Sequence, residues 1–228
     1  MIPADVTTPH LADACLRLGL PIPIAPMGIQ ALVPGQRIAG PAVPVRHVGS
    51  VDIFIGAIHG ASPGEVLVID NDGRSDEGCI GDLTALEAKA AGMAGIVVWG
   101  AHRDTAKLIE LRLPVFSYGR FPAGPRRTAY EPSRMADDID FGGIRVTRGD
   151  IVVADADGVL FLPSDVLDSI VRTARTIATR EREQAAAVAR GITLYEQLRF
   201  EEYVTRRAED PSYTFRQHLR GFAGAIEE

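Results

Sequence analysis

The sequence predicts an α/β protein with a central, mostly parallel sheet, β-hairpins and a helical C-terminal tail. Between residues 64 and 119, short apolar runs alternate with helical patterns, which is typical of consecutive strand-helix-strand crossovers. Between residues 139 and 163, Gly-Asp and Asp-Gly pairs separate β-branched runs, as in antiparallel hairpins. From Ser164 onward the apolar residues recur at helical spacing.

The N-terminal part of the chain predicts a helix, an irregular segment, a strand and a short helix. TPHLADACLRLG (8–19) begins near a Thr-Pro pair and stops at a glycine, which is typical of a capped helix. The proline-rich segment 20–36 lacks periodicity and predicts a surface loop. A strand is expected at 38–46, followed by a short helix after Ser50.

The middle of the chain predicts three strands and two helices in strict alternation. GEVLVID, AGIVVWG and LPVFSYG are short apolar runs, while DLTALEAKAAG and DTAKLIELR carry helical spacing. In chain order the predicted elements are strand 64–70, helix 82–92, strand 94–100, helix 104–112 and strand 113–119, followed by a loop at 120–134.

The last part of the chain predicts hairpins and then helices. Asp155-Ala156-Asp157-Gly158 lies between two strand-like runs, so a hairpin turn is favoured over a calcium loop. We expect one domain over residues 1–228, in which 164–228 form a helical tail that packs on a neighbouring subunit.

Composition excludes several classes of function. The formal net charge of −6 disfavours a nucleic-acid binder, which needs a basic excess. No apolar run reaches the length of a membrane span and the start resembles no signal peptide, so we expect a cytoplasmic protein without membrane or nucleic-acid partners. Two cysteines, Cys15 and Cys79, are expected to be buried free thiols.

Three charged residues follow neighbouring strands of the predicted sheet. Asp82 begins the helix after one strand, and Arg103 and Asp104 lie between the next strand and its helix. Because the carboxyl ends of adjacent parallel strands share one edge, these side chains should converge there. Either aspartate could instead be a helix N-cap, and Arg103 could form a local ion pair. Convergence favours a site in which Arg103 clamps a carboxylate and Asp104 holds a divalent cation.

These residues resemble a known family. Asp82, twenty intervening residues and then Arg103-Asp104 resemble the signature of the RraA-like family, which includes the 4-hydroxy-4-methyl-2-oxoglutarate aldolases. The segments LADACLRLG, GPAVPVRHV, EAKAAGMAGIVVWGAHRD and GGIRVTRGDIVVADADGVLFLP are also similar, so the resemblance extends over residues 7–198.

The resemblance implies an αββα sandwich and a homotrimer or homohexamer with sites at subunit interfaces. It implies a metal-dependent aldolase that cleaves a 4-hydroxy-2-oxo diacid to pyruvate, with oxaloacetate decarboxylation as a companion activity. By correspondence, the segment from Gly81 through Asp82 and Leu83 to Thr84 would bind substrate, Arg103 its carboxylate, and Asp104 Mg²⁺ or Mn²⁺. Asp82 would position a water for proton transfer. A tail acid, Glu181 or Glu183, would join a neighbour's site.

Other interpretations remain open. A Schiff-base aldolase needs a desolvated lysine, but the two lysines, Lys89 and Lys107, are expected to face solvent on their helices. A non-catalytic RraA-type regulator that binds a ribonuclease is a second possibility. A lyase or isomerase acting on another hydroxy or sugar acid is a third, in which Trp99 and Arg74 contribute to selectivity. His102 is either a residue supporting the site or an exposed loop histidine.

Overall fold

Nine strands and eight helices occur in the computed structural model, which describes residues 2–125 and 138–221. The predicted loop 120–134 lies partly outside these residues. The strands are β1 (Gln30–Ala31), β2 (Ile38–Arg46), β3 (Val66–Ile80), β4 (Gly95–His102), β5 (Val115–Ser117), β6 (Asp138–Asp140), β7 (Arg145–Thr147), β8 (Asp150–Asp155) and β9 (Gly158–Pro163). The helices are α1 (Thr8–Arg17), α2 (Asp52–His59), α3 (Asp82–Ala90), α4 (Thr105–Leu111), α5 (Leu167–Ala189), α6 (Leu194–Gln197), α7 (Phe200–Glu209) and α8 (Phe215–Arg220).

Seven of these strands form one curled sheet in the order β1-β5-β4-β3-β2-β8-β9. Neighbouring strands from β2 to β5 are parallel, whereas β1, β8 and β9 pair antiparallel to their neighbours. Strands β6 and β7 form a separate hairpin. The predicted α/β class, with its parallel core and added hairpins, is confirmed.

The chain divides into two compact units, one formed mainly by Ile22–Asp168 and the other by Pro3–Pro21 together with the chain from Ser169 onward. In the first unit, a hydrophobic core lies on each face of the parallel strands. Leu67, Ile69 and Val98 face α2, α3 and α4, while Val68 and Val97 face the core that contains the β6–β7 hairpin and the β8–β9 pair. Burial on both faces explains why these strands are almost uninterrupted apolar runs.

Strand β3 is much longer than predicted. The sequence places its end at residue 70, because Asn71-Asp72-Gly73 is typical of a turn. In the structure the strand continues to Ile80 and pairs with β4 through three register shifts. Asp72 and Gly73 have φ angles of 58° and 62°, so the strand bulges out here and then rejoins its neighbour.

The turn between β8 and β9 follows the prediction. Asp155 pairs with Gly158, which leaves Ala156 and Asp157 as a two-residue hairpin turn. The Asp155 side chain accepts a hydrogen bond from the backbone N–H of Asp157 at 3.1 Å. These aspartates therefore belong to a tight turn rather than a calcium loop.

The second unit contains α1 and most of the helical C-terminal part, and both were predicted as helices. His10 Nδ1 accepts a hydrogen bond from the backbone N–H of Thr7, so Nε2 carries the ring proton and donates to Glu181 Oε2 at 2.9 Å. Glu183 is exposed. The role of either acid in a neighbour's site stays a prediction, as does the single domain over 1–228. Within the described residues, no helix combines the length and apolarity that a membrane span requires.

Candidate active site

The carboxyl ends of β3 and β4 bring the three predicted charged residues together. Asp104 Oδ2 lies 3.3 Å from Arg103 Nε and 3.4 Å from the backbone nitrogen of Asp82. The backbone N–H of Arg103 donates to the carbonyl of Ile80 at 2.9 Å, which ties the two strand ends to each other. Asp82, Arg103 and Asp104 thus share one edge of the sheet, as their places after parallel strands predict.

Neither aspartate acts as a conventional helix cap. Gly81 is the N-cap of α3, and Asp82 is the first residue of the helix, where its Oδ1 accepts from the backbone N–H of Leu83 at 2.8 Å. Asp104 is the N-cap of α4 but makes no side-chain cap bond. It adopts a left-handed conformation, with φ 57° and ψ 35°, and its carboxylate reaches toward the start of α3. The N-terminus of α3, which favours anions, lies beside this carboxylate and Arg103.

Glycines let the backbone approach these side chains closely. A Cβ atom on Gly81 would lie 2.3 Å from Asp104 Oδ2, and a Cβ atom on Gly124 would lie 2.7 Å from Arg103 Nη1. Gly78 is equally restricted, because its Cβ would lie 2.8 Å from that of Arg103. The positions of Arg103 and Asp104 therefore depend on the absence of side chains at all three glycines.

A cavity of about 520 Å³ opens beside Arg103. One wall comes from the start and body of α2, with the side chains Val51, Phe54, Ile55 and Ile58. A second part of the lining comes from the start of α3, with Gly81, Asp82, Leu83, Thr84 and Glu87. All four predicted substrate-binding positions from Gly81 to Thr84 line this cavity. The α2 wall is not among the residues predicted for the site, although the apolar run DIFIGAI in a predicted helix is a signal for it.

His102 is buried rather than exposed in a loop, so that interpretation is wrong. Strand β4 extends to His102, whose side chain contacts Ser117 Oγ at 2.7 Å and Thr105 Oγ1 at 3.1 Å. Burial, with the nearby Arg120 as a lesser cause, lowers the pKa of His102. The ring links the end of β4 to β5 and to the first residue of α4, and so supports the Arg103-Asp104 segment.

Trp99 and Arg74, considered as selectivity residues, do not line the described part of the cavity. Trp99 packs against the core on the other face of the sheet and donates from Nε1 to Tyr118 Oη at 2.9 Å. The Arg74 guanidinium contacts Asp76 at 2.8 Å and Glu77 at 3.4 Å. A role for either residue at this cavity is therefore not supported.

Both lysines are exposed, as predicted. Lys89 Nζ donates to the carbonyl of Leu111, and Lys107 Nζ contacts Glu110 Oε2. Neither lysine is among the described residues that line the cavity. The bond to Glu110 raises the pKa of Lys107. A Schiff-base nucleophile is a desolvated lysine, so neither of these exposed residues fits that role.

The donor set fits a hard cation with an open coordination shell. Among the residues described, no group of three His, Cys, Asp or Glu side chains could hold a metal ion by itself. Asp104 offers a partly exposed carboxylate, whose Oδ2 lies 3.4 Å from the backbone nitrogen of Asp82. Mg²⁺ and Mn²⁺ are commonly held by one or two carboxylates, with water and substrate oxygens completing the shell. A closed zinc site does not fit this set.

Comparison with known proteins identifies the family of the chain. The family model RraA-like: Aldolase/RraA matches residues 8–161. A protein of Halalkalibacterium halodurans named "Putative 4-hydroxy-4-methyl-2-oxoglutarate aldolase" is 30% identical over 162 residues, which cover 71% of this chain and 76% of that protein.

Solved structures with a similar fold include one member of the RraA family. An uncharacterized protein from Pseudomonas syringae pv. tomato str. DC3000 has a TM-score of 0.69 and 30% identity, covering 84% of this chain and 92% of its own. Streptomyces coelicolor RraAS2, described as an unusual member of the RNase ES inhibitor RraA protein family, has a TM-score of 0.68 and 29% identity, covering 78% and 90%. With its fold, its Asp82 to Arg103-Asp104 spacing and these matches, the chain belongs to the RraA-like family.

Proposed function

We propose that the protein is a divalent-metal-dependent carbon-carbon lyase that cleaves a 4-hydroxy-2-oxo acid and releases pyruvate. The observation that carries this proposal is the convergence of Arg103 and Asp104 on the first turn of α3, beside a cavity large enough for a small organic acid. The aldolase named among the relatives supports the reaction class. Its substrate, 4-hydroxy-4-methyl-2-oxoglutarate, serves as the reference compound for the test.

Binding of the 2-oxo acid end follows from the charges at the site. The Arg103 guanidinium is half-exposed toward the cavity and can form two parallel hydrogen bonds to a carboxylate. The backbone N–H groups of the first turn of α3, from Gly81 to Thr84, add donors at the positive end of the helix. Together they would fix the carboxylate at the strand ends and orient the chain of the substrate into the cavity.

Asp104 would hold Mg²⁺ or Mn²⁺, which supplies Lewis-acid polarisation of the 2-oxo group when it is bound. In the cleavage the C3–C4 bond breaks, the C4 hydroxyl loses its proton to leave a carbonyl, and C3 gains a proton to become the methyl group of pyruvate. Asp82 lines the cavity beside Arg103, so its carboxylate can hold the water that carries these protons. Oxaloacetate decarboxylation ends in the same protonation at C3 and would use the same residues.

A pyruvate-release assay with Mg²⁺ tests the proposal. Asp104→Ala and Arg103→Ala should each lower kcat/KM by at least about 100-fold, because each removes a group that acts on the reacting acid. Exposed residues of the same charge give matched controls, Asp13→Ala and Arg148→Ala, which should retain activity. Equal activity of all four variants would refute the assignment.

The relation to a ribonuclease inhibitor makes a non-catalytic regulator the competing function. A regulator of this kind has no need of a divalent cation at Asp104. Calorimetry should therefore detect Mn²⁺ binding to the wild type that Asp104→Ala abolishes. Absence of binding, together with co-purification of a ribonuclease, would reverse the order of the two functions. Assembly as a homotrimer or homohexamer is part of the proposal, and light scattering tests it.

A further inference from the structure

The backbone at Asp104 adopts an unusual conformation without the bond that normally stabilises the start of a helix. Its φ of 57° and ψ of 35° lie in the left-handed region, which residues other than glycine rarely adopt. An N-cap aspartate normally has extended backbone and accepts a hydrogen bond from the first turn of its helix. Asp104 makes no such bond, and its Oδ2 lies 3.4 Å from the backbone nitrogen of Asp82 instead. The start of α4 therefore depends on a different contact.

The side chain of His102 supplies that contact. Its Nε2 lies 3.1 Å from the hydroxyl of Thr105, the first residue of α4, and its Nδ1 lies 2.7 Å from the hydroxyl of Ser117, the last residue of β5. A neutral imidazole has one donor and one acceptor nitrogen, and a hydroxyl can donate or accept, so both bonds form in either tautomer. His102 and Ser117 are each 3% exposed, so water has little access to this imidazole bridge of Thr105, His102 and Ser117.

The imidazole bridge closes residues 102–105 into a short loop. On the β4 side, the backbone N–H of Arg103 donates to the carbonyl of Ile80 at 2.9 Å, which fixes the end of the strand. On the α4 side, the ring of His102 holds the hydroxyl of Thr105. Asp104 joins these two fixed points, and its left-handed backbone turns the chain from β4 into α4 while its carboxylate lies beside the start of α3.

We propose that His102, Thr105 and Ser117 are positioning residues for the metal site, whose bonds replace the side-chain cap of α4 and leave the Asp104 carboxylate free to bind Mg²⁺ or Mn²⁺. The proposal rests on the function proposed above, in which Asp104 holds the cation. None of the three side chains lines the described part of the cavity beside Arg103, so they act through the backbone of Asp104 and do not touch the substrate.

Loss of the imidazole bridge should let Asp104 become an ordinary cap. Extended backbone is more favourable for aspartate than the left-handed conformation, and the carboxylate would then accept from the N–H groups of the first turn of α4. In that arrangement it leaves the start of α3 and the neighbourhood of Arg103. Removing a group that orients a metal ligand usually lowers metal affinity by about 10–100-fold, so we expect a loss of that size here.

Calorimetry with Mn²⁺ on the full-length chain tests the proposal without turnover. Thr105→Val keeps the shape of the side chain and removes its hydroxyl, so it should lower the Mn²⁺ affinity by at least about tenfold. Ser117→Ala removes the second anchor of the ring and should lower the affinity in the same direction. Thr176→Val is the matched control, because Thr176 is exposed on α5 and its hydroxyl donates to the carbonyl of Arg172. The control should bind Mn²⁺ like the wild type.

Two amides at position 102 distinguish positioning from mere filling of space. His102→Gln places an amide near the position of Nε2, within reach of Thr105, and should keep most of the wild-type affinity. His102→Asn is one methylene shorter and reaches only toward Ser117, so it should lose at least about tenfold, as Thr105→Val does. Urea unfolding shows whether each variant is folded during calorimetry. Val146→Ala, a fully buried residue of β7, is a destabilised control that should keep its Mn²⁺ affinity.

The outcomes separate this inference from the lyase function. Wild-type Mn²⁺ affinity in Thr105→Val and His102→Asn would overturn the positioning role, as would equal losses in His102→Gln and His102→Asn. Absence of Mn²⁺ binding by the wild type would overturn it together with the metal site. Mn²⁺ affinities in the expected order, without pyruvate release from 4-hydroxy-4-methyl-2-oxoglutarate or any other 4-hydroxy-2-oxo acid, would refute the lyase alone and support the positioning role.

Discussion

Replacing Gly81 by alanine should separate activity from stability. The new Cβ would lie 2.3 Å from Asp104 Oδ2 and 3.1 Å from Arg103 Nε. Ordinary contact begins near 3.4 Å, so the Asp104 carboxylate must move by about 1 Å. A displacement of that size at reacting groups costs about 100-fold in rate, or about 2.7 kcal/mol of transition-state stabilisation.

The same substitution should cost little in folding. Gly81 has φ −138° and ψ −164°, an extended conformation that alanine adopts without strain. Asp104 is 37% exposed, so its carboxylate can turn into solvent without disturbing a packed core. Alanine also restricts the unfolded chain, which contributes about 0.4–1 kcal/mol in favour of folding. We therefore expect the free energy of unfolding to change by no more than about 1 kcal/mol.

Three measurements on Gly81→Ala check this reasoning: pyruvate release, Mn²⁺ affinity by calorimetry, and urea unfolding. Gly149→Ala is the control, because the nearest atom its Cβ would meet is Thr147 Oγ1 at 3.4 Å. Wild-type kcat/KM and Mn²⁺ affinity in Gly81→Ala would refute the position given to Asp104. A loss of activity that accompanies a large loss of stability would refute the claim that the effect is local.

Three further predictions concern the rest of the fold. Burial lowers the pKa of His102 from its ordinary 6.5, so the unfolded chain binds more protons just below that pH. With chelator present, the free energy of unfolding should therefore fall as pH drops below about 6.5, by up to about 1.4 kcal/mol per pH unit. His102→Asn should remove this part of the pH dependence, and an unchanged slope in the variant would contradict the prediction. Burial raises the pKa of Cys15, and Cys79 is also buried, so a thiol reagent should modify both only after unfolding; rapid reaction of the native protein would count against this. Leu67 is fully buried, so Leu67→Ala should lower the free energy of unfolding in urea by about 2–5 kcal/mol. Leu86 is half-exposed, so Leu86→Ala should lower it by less than about 1 kcal/mol, and equal losses in the two variants would contradict the described core.

The parallel core and the grouping of the charged residues could be predicted because their signals are local. Buried strands such as GIVVWG are apolar throughout, and the α3 pattern stops at a glycine. Once two neighbouring strands are parallel, their carboxyl ends must meet, so Asp82 and Arg103-Asp104 follow from order along the chain. Backbone geometry alone brings them together.

The course of β3 and the burial of His102 could not be predicted in the same way. Asn71-Asp72-Gly73 has the composition of a turn, and only pairing with β4 shows that the strand resumes afterwards. His102 is buried because β5 places Ser117 against its ring, a contact between residues far apart in sequence. Each depends on a partner strand that local composition does not reveal.

The apolar wall of the cavity could not be predicted from the sequence either. The sequence predicts α2 as a helix, but its apolar residues occur on more than one side, so they do not show which side faces a ligand. In the structure Phe54 joins the core while Ile55, one residue later, remains largely exposed at the rim. Only the placement of α2 next to α3 distinguishes packing residues from lining residues.

The left-handed backbone at Asp104 limits how this site can change during evolution. Glycine, asparagine and aspartate tolerate that conformation best, whereas β-branched and bulky residues are strained in it. Of these three residues, aspartate alone carries the charge that would attract a cation. A lineage could therefore exchange Asp104 for asparagine or glycine at little cost to folding, and the metal binding proposed for this residue would be lost in a single step. Catalysts and non-catalytic binding proteins built on this fold would then be close neighbours in sequence space, and the residue at this one position would be the first to inspect in any relative.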